Sequence, residues 1–245
     1  NLDIKNAIIF FTPKGKITFT EEISVKIIKI DAINSEFIFD KCNNIVVTDS
    51  TFKNNKNKRP LTYNCCQNGI IEKSNFENCD LFFNKNKTEI NAKKDSGSAI
   101  YAYKSNINFK KNCFDKCFAN YNGGAVYIYD EYDSSEYWNK DIKRLNISEC
   151  TFNKCSSNFG DGGGLFIKAY NTYAYRYHSS EEKYDHYKYR ELSLYNIYDS
   201  KFTNCSAING GGLWIDQPNA ECDEKNYEKE FKKSTVIYNT QFENC

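Results

Sequence analysis

The sequence predicts an all-β fold, a right-handed parallel β-helix (solenoid) with long loop insertions on one edge. A phrase built around Phe recurs six times, and a phrase that starts with Gly recurs four times. Both phrases alternate apolar and polar residues with the period of two that is typical of strands. Units this short cannot bury their own apolar face, so we expect successive windings, called rungs, to stack on one another.

The Phe phrase ends in most copies with Cys, as in Glu149–Cys155 and Asp199–Cys205. Its Phe positions are 24, 38, 38, 50 and 40 residues apart, so one unit carries loops of different length. Residues at the same position of successive rungs are called a column. The predicted core column is Phe52, Phe76, Phe114, Phe152, Phe202 and Phe242. The predicted cysteine column is Cys79, Cys117, Cys155, Cys205 and Cys245.

The glycine phrase continues as a strand, as in Gly123–Tyr129 and Gly162–Lys168. One parity is aliphatic in every copy and should face the core. The opposite parity should face outward as an aromatic column, formed by Tyr101, Tyr127, Phe166 and Trp214. Stacked rungs lie about 4.8 Å apart, which places like residues over like. An apolar residue lies five positions before each Phe. In a continuous strand, side chains five positions apart point to opposite faces, so the chain is predicted to bend between the two.

We interpret residues 1–245 as a single β-helix domain, with N-terminal rungs in 1–44 and repeat rungs in 45–245. The segments before Phe52 look like strands but do not follow the register of the repeats. Long insertions are predicted near residues 80–95, 130–143, 169–192 and 217–233. The sequence contains no Met and stops at Cys245 in mid-phrase, which predicts a fragment of a longer chain.

Charge and hydropathy exclude two classes of partner. Lys and Arg number 33 and Asp and Glu 32, and a net charge of +1 excludes a strongly basic nucleic-acid binder. No run approaches the roughly 18 apolar residues that a membrane helix needs, so we expect no membrane span in this segment.

The sequence predicts no enzyme, no catalytic residue and no cofactor. Asp161 and Asp216 lie near the glycine phrase, but Asn122 and Asn209 stand at neighbouring positions, so no acidic column forms. The alternative from another class is a carbohydrate-active β-helix enzyme, either a polysaccharide lyase or a glycoside hydrolase. That alternative requires two carboxylates that converge on one strand face.

The eleven cysteines leave three interpretations open. They form a stack of small buried thiols, or disulfides between rungs, because stacked Cα atoms lie near the allowed separation. The spacing of Cys113 and Cys117 also suits zinc, but the sequence holds only two His, so we expect no metal site. Since eleven is odd, at least one thiol is free or pairs outside this chain.

The insertion after the third glycine phrase is rich in Tyr, which suits a recognition surface on a rigid repeat. The alternative is that these rings pack over the aromatic column. The candidate binding residues are Tyr173, Tyr175, Tyr177, Tyr187 and Tyr189, together with the aromatic column. Asn86 and Asn146 match the glycosylation acceptor pattern, whereas a third match, Asn204, is interpreted as structural.

The order Phe-x-x-Asn/Cys, small residues and then Gly-Gly-Ala/Gly-aliphatic resembles the polymorphic outer membrane protein repeat first described in chlamydial surface proteins. Similar repeats occur in many protist surface proteins, and the resemblance covers roughly residues 45–245. Asn55 keeps the family's Asn, while the cysteine column replaces it elsewhere. The resemblance implies a right-handed β-helix at a cell surface, often adhesive, with no catalytic residues to transfer.

We therefore expect an extracellular or cell-surface structural or adhesive scaffold. Its Tyr-rich loops would bind partner proteins or surface glycans, and its rungs would permit end-to-end assembly into a larger filament. The abundance of Asn, Lys, Ile, Tyr and Phe suggests the AT-rich genome of a protist.

Overall fold

The computed structural model describes residues 2–10, 15–81, 91–130, 144–169, 194–216 and 235–245. In these residues the protein is a parallel β-helix, as the sequence predicts. One short helix, α1 (Ala92–Asp95), begins after Asn91, whose side chain accepts a hydrogen bond from the amide of Lys94.

The strands are short and follow one another through the described chain. In chain order they are β1 (Leu2–Lys5), β2 (Ile8–Phe10), β3 (Ile17–Thr20), β4 (Val25–Ile28), β5 (Asp31–Ile33), β6 (Phe37–Asp40), β7 (Ile45–Thr48), β8 (Thr51–Lys53), β9 (Leu61–Asn64), β10 (Gly69–Glu72), β11 (Asn75–Glu77), β12 (Ile100–Tyr103), β13 (Ile107–Lys110), β14 (Cys113–Asp115), β15 (Phe118–Ala119), β16 (Val126–Asp130), β17 (Arg144–Ser148), β18 (Thr151–Asn153), β19 (Ser156–Ser157), β20 (Leu165–Ala169), β21 (Leu194–Tyr198), β22 (Lys201–Thr203), β23 (Leu213–Asp216), β24 (Thr235–Tyr238) and β25 (Gln241–Glu243).

Three long parallel sheets take one strand from each rung. Sheet A has the order β1-β4-β7-β10-β13-β17-β21-β24. Sheet B has the order β2-β5-β8-β11-β14-β18-β22-β25, and sheet C the order β23-β20-β16-β12-β9-β6-β3. A two-stranded sheet pairs β15 with β19. Each rung therefore runs from sheet A to sheet B and then to sheet C, where a complete rung ends.

The Phe column lies at the centre of the core. Successive rings from Phe52 to Phe242 pair in register in sheet B and stack with centroid separations between 4.5 and 5.1 Å. The five rings from Phe52 to Phe202 are buried, whereas Phe242, in the last described rung, is 49% exposed. Parallel pairing in register thus converts a repeated residue type into a continuous apolar stack.

The first rungs keep the register of the repeats, contrary to the expectation from their sequence. Val25 pairs with Ile45 in sheet A, and Ala32 pairs with Phe52 in sheet B. Ala32 therefore occupies the Phe column, and the ring of Phe37 packs edge-on against Phe52 at 6.1 Å. The column requires an apolar side chain rather than Phe itself, so the phrase is lost from the sequence while the register persists.

The bend predicted between the apolar column and the Phe is a single residue in the left-handed conformation. In every repeat it is the polar residue that opens the Phe phrase, with φ between 46° and 55°. These residues are Asp49, Lys73, Lys111, Glu149, Asp199 and Asn239. A second left-handed corner follows two residues after each Phe, at Asn54, Asn78, Lys116, Lys154, Asn204 and Asn244. Left-handed backbone costs non-glycine residues about 1–2 kcal/mol each, and the sheet bonds on both sides of each corner offset it.

The predicted insertions leave and return at stacked positions. Asp130 and Ala169 end their strands in register, and Asp216 ends the next strand, opposite Lys168. The chain returns in register on sheet A, for example where Tyr195 pairs with Thr235. Residues 131–143, 170–193 and 217–234 lie outside the described residues. The attachment points of these three insertions therefore stack along one edge of sheet C.

The predicted insertion near 80–95 starts later than the sequence suggested. Asp80 still bridges Lys56 and Phe118 in the stack, and Leu81 donates its amide to the carbonyl of Phe118. Residues 82–90 lie outside the described residues, and α1 follows them. Across the part of the chain that is described, no helix has the length and apolar character needed to cross a membrane.

Candidate functional site

The candidate site is the outward face of sheet C, called the aromatic face. It consists of two neighbouring columns. The first is the predicted one, Tyr101, Tyr127, Phe166 and Trp214, and the second contains Tyr103, Tyr129, Lys168 and Asp216. The predicted column is in register across four rungs, with ring centroids 5.5 Å apart between Tyr101 and Tyr127. The next separation, from Tyr127 to Phe166, is 5.2 Å.

Most of the predicted column is not available to a ligand. Tyr101, Tyr127 and Phe166 are at most 3% exposed and form a cluster of their own outside the main core, whereas Trp214 is 36% exposed. Tyr103 and Tyr129 pack against this cluster. Burial raises the pKa of the Tyr127 hydroxyl well above its ordinary value. The column is therefore a second, smaller core over much of its length.

The half-buried second column carries charge as well as aromatic surface. Tyr103 and Tyr129 stack at 5.5 Å, and the ammonium group of Lys168 lies 5.7 Å from the ring of Tyr129. Lys168 also approaches the carboxylate of Asp216 at 4.0 Å. The sequence also indicates this column, because Tyr103 and Tyr129 lie two residues after Tyr101 and Tyr127 and therefore point to the same face of the sheet. Since these residues lie beside the stacked attachment points, they form the accessible part of the aromatic face with Trp214.

Arg59 packs against Tyr101, the first ring of the aromatic face. Its guanidinium lies 4.8 Å from the ring centre of Tyr101 and donates hydrogen bonds to the carbonyls of Gly97 and Ser96 at 2.7 and 2.6 Å. Burial lowers the pKa of Arg59 to about 10, so the group stays charged at neutral pH. The sequence carries no local signal for these contacts, because Gly97 and Ser96 lie more than thirty residues from Arg59 along the chain.

Several predicted site residues lie outside the described residues. They are Tyr173, Tyr175, Tyr177, Tyr187 and Tyr189, and the acceptor Asn86. Asn146 is described and belongs to an amide ladder on the outer face of sheet A. Its Nδ2 donates to Asn108 at 3.2 Å, and its Oδ1 accepts from Asn196 at 2.9 Å. A glycan on Nδ2 would leave one N–H for this ladder.

The ten described cysteines carry free thiols. In the cysteine column, the thiols of Cys117, Cys155 and Cys205 donate to Phe carbonyls of the preceding rung at 3.5–3.6 Å. Cys42 and Cys66 do the same at another corner, which the sequence analysis did not identify. Among the described residues, no three His, Cys, Asp or Glu side chains are grouped to hold a metal. These thiols act as small buried donors that satisfy corner carbonyls.

We expect the buried thiol of Cys150 to lower the free energy of unfolding as the pH rises into the alkaline range. Burial raises its pKa from 9.0 to about 12. Above about pH 9 the unfolded chain loses this proton while the folded chain keeps it, so the stabilisation is complete below pH 9 and declines toward pH 12. The decline is at most about 1.4 kcal/mol per pH unit for one group.

The matched variant is Cys150→Ser, because Ser50, Ser74 and Ser200 occupy the same column. Urea unfolding at several pH values should show a shallower decline for Cys150→Ser than for the unchanged protein. Cys65→Ser, at an exposed thiol, is the control and should keep the original slope. Parallel stability curves for Cys150→Ser and the unchanged protein would contradict the prediction.

The two carboxylates considered for catalysis lie at opposite ends of sheet C strands. Asp161 precedes β20 and accepts a hydrogen bond from Asn209 at 2.8 Å. Asp216 ends β23 beside Lys168. An inverting glycosidase needs two carboxyl groups about 6.5–9.5 Å apart across a substrate, and these two side chains do not face one another.

Comparisons of this chain with protein-family models, with curated proteins and with solved structures each found no match. The resemblance to the polymorphic outer membrane protein repeat stays a prediction from the sequence.

Proposed function

We propose that this chain is an extracellular or cell-surface scaffold that presents its insertions for adhesion to partner proteins or surface glycans. The observation that carries the proposal is the stacking of three attachment points on successive rungs of sheet C. Asp130 and Ala169 are direct register partners, and Asp216 pairs with Lys168 one rung further on. The points at which these insertions are attached therefore lie side by side on a rigid support.

The support is rigid because each rung is held on both sides. Backbone hydrogen bonds join neighbouring rungs at corners as well as strands, for example from Lys154 to Thr203 and from Asn204 to Glu243. The rings of the Phe column fill the interior. Preorganised supports lower the entropic cost of binding by the loops that they carry.

The composition beside the attachment points suits recognition. Residues 170–193 contain seven Tyr, and Trp214, Tyr103 and Tyr129 lie partly exposed on the adjoining face. Tyr and Trp supply a large amphipathic contact area with little loss of conformational freedom. End-to-end joining into a larger filament belongs to the same proposal, since a backbone ladder accepts any further rung that is in register.

The test is to replace residues 170–193 with a short Gly-Asn linker and measure retention on immobilised extracellular-matrix proteins and cell-surface glycans. We expect the intact chain to be retained and the replacement to weaken retention at least about tenfold, because it removes the main aromatic contacts. The thermal unfolding midpoint should stay close to the original, since the rungs remain. A chain with residues 82–90 replaced is the control, because that insertion leaves from another corner.

Two outcomes would contradict the proposal. The intact chain could fail to bind any of the immobilised proteins and glycans, or the replacement of 170–193 could bind as well as the intact chain. Antibody labelling of intact, unpermeabilised cells tests the location, and labelling that requires permeabilisation would refute a surface position.

A further inference from the structure

A fourth, narrow ladder runs along the corner between sheet B and sheet C. It takes one residue from each of five successive rungs, and parallel bridges join each member to the next. The members, called the corner ladder, are Lys56, Asp80, Phe118, Ser156 and Ser206. Four rung intervals give the ladder a length of about 19 Å along the solenoid axis.

Two shallow cavities lie along this ladder and share Asp80 and Phe118, so they form one continuous groove. The first is lined by Asp80, Phe118, Ala119, Ser156, Ser157, Asn158 and Ser206. The second is lined by Asn54, Lys56, Asn78, Asp80, Lys116 and Phe118. The lining residues follow one another rung by rung, so the groove runs along the solenoid axis, which suits a linear ligand.

Six of the eleven residues that line the groove carry amide or hydroxyl groups, and Lys56, Lys116 and Asp80 carry opposite charges that leave a small net charge. Asn54, Asn78, Asn158 and Ser206 are exposed, and such groups donate and accept hydrogen bonds as sugar hydroxyls do. Phe118 is 39% exposed at the place where the two cavities meet. A ring in that position offers an apolar surface to the C–H face of a sugar.

The polar groups also repeat with the rungs. Asn54 and Asn78 occupy the same corner of two adjacent rungs on one side of Phe118, and Ser156 and Ser206 do so on the other side. A polymer of identical units would meet an amide group on two successive rungs and a hydroxyl group on two others. A rung spacing of about 4.8 Å is close to the length of one sugar unit in an extended chain.

We propose that the groove along the corner ladder binds a linear glycan of neutral sugars, with Phe118 as its aromatic platform. A protein partner fits less well, because interface cores are enriched in large apolar residues and Phe118 is the only large apolar side chain among the described residues that line both cavities. The backbone bridges hold the lining in place before a ligand arrives, which favours binding.

This site differs from the surface assigned to the insertions. The groove lies before the strands of sheet C, whereas the three insertions assigned to that surface, 131–143, 170–193 and 217–234, leave after those strands. Its test can therefore fail without affecting the proposed function, and the reverse also holds.

The experiment is a calorimetric titration of the full chain with three neutral hexaoses, cellohexaose, N-acetylated chitohexaose and mannohexaose. We expect at least one to bind and Phe118→Ser to weaken that binding about tenfold or more, the usual loss at a central aromatic contact. Ser is the residue at this position in the next two rungs, so the fold accepts it. Phe159→Ser is the control, since Phe159 is 57% exposed but does not line the groove, and it should leave the affinity unchanged.

Three results would overturn the proposal. The first is that none of the three hexaoses binds. The second is that Phe118→Ser binds a hexaose as tightly as the unchanged chain does. The third is that replacement of residues 170–193 abolishes the binding. The last result would assign the sugar to the insertions and leave the groove without a ligand. An unchanged thermal unfolding midpoint of Phe118→Ser shows that a loss of affinity is not a loss of fold.

Discussion

We expect Phe152→Ala to lower the free energy of unfolding by about 3–5 kcal/mol, the range for removing a buried aromatic ring. Phe152 is 1% exposed and stacks on Phe114 at 4.7 Å and on Phe202 at 4.5 Å. Its removal opens a cavity between Phe114 and Phe202, which the backbone ladder holds two rungs apart, so the column cannot close. Equilibrium unfolding in urea measures the loss.

Phe242→Ala is the matched control for this prediction. Phe242 occupies the same column but is 49% exposed, and among the described rings it stacks only on Phe202. Since little new cavity forms there, we expect a loss of about 1 kcal/mol. A loss below about 1 kcal/mol for Phe152→Ala, or equal losses for the two variants, would show that the column is not the core of the solenoid.

The second large effect is expected for Gly163→Ala, at about 3 kcal/mol, the upper range for overpacking. A methyl group on Gly163 would fall against the carbonyl oxygens of Gly211 and Ser206, well inside any contact distance, and 2.7 Å from the amide nitrogen of Ser206. All three atoms belong to the backbone of the next rung. Relief would require the two rungs to separate, which weakens the ladder between them.

Gly164→Ala, one residue further on, is the control. Its methyl group would lie 2.7 Å from the carbonyl oxygen of Gly212 and 2.9 Å from the ring of Phe202. The equivalent position of the preceding rung already holds Ala125, so we expect a smaller loss of about 1 kcal/mol. Thermal and urea unfolding should rank the variants in this order. An equal effect of the two substitutions would mean that rung spacing at Gly163 is not limiting.

The repeat pattern was sufficient to predict the fold because each column depends on local residue type. Every copy has a Phe, an apolar residue five positions before it and a polar residue between them. The Phe and the apolar residue point inward, and the polar residue forms the corner. The same reasoning failed for the first rungs, where Ala32 replaces Phe. Phe37 fills the remaining space from another strand, and such compensation leaves no trace in a repeat.

The candidate site was predicted less well than the fold. Alternation correctly placed Tyr101, Tyr127 and Phe166 on the outside of sheet C, but it does not distinguish an outward ring from an exposed one. The predicted cysteine column is described as free thiols that bond to carbonyls of the preceding rung. A sequence gives the spacing of cysteines, whereas their bonding depends on where each sulfur points.

The sequence by itself determined that this chain winds into stacked rungs. Apolar side chains alternate along short repeated strands, and such strands bury these side chains by stacking on the next copy. Tertiary structure alone decided which surfaces stay open. Arg59 reaches Tyr101 and Gly97 across rungs, and Phe118 meets Asp80 and Ser156 along a corner. These contacts join residues that are remote along the chain, and only the stacking distance between rungs brings them together.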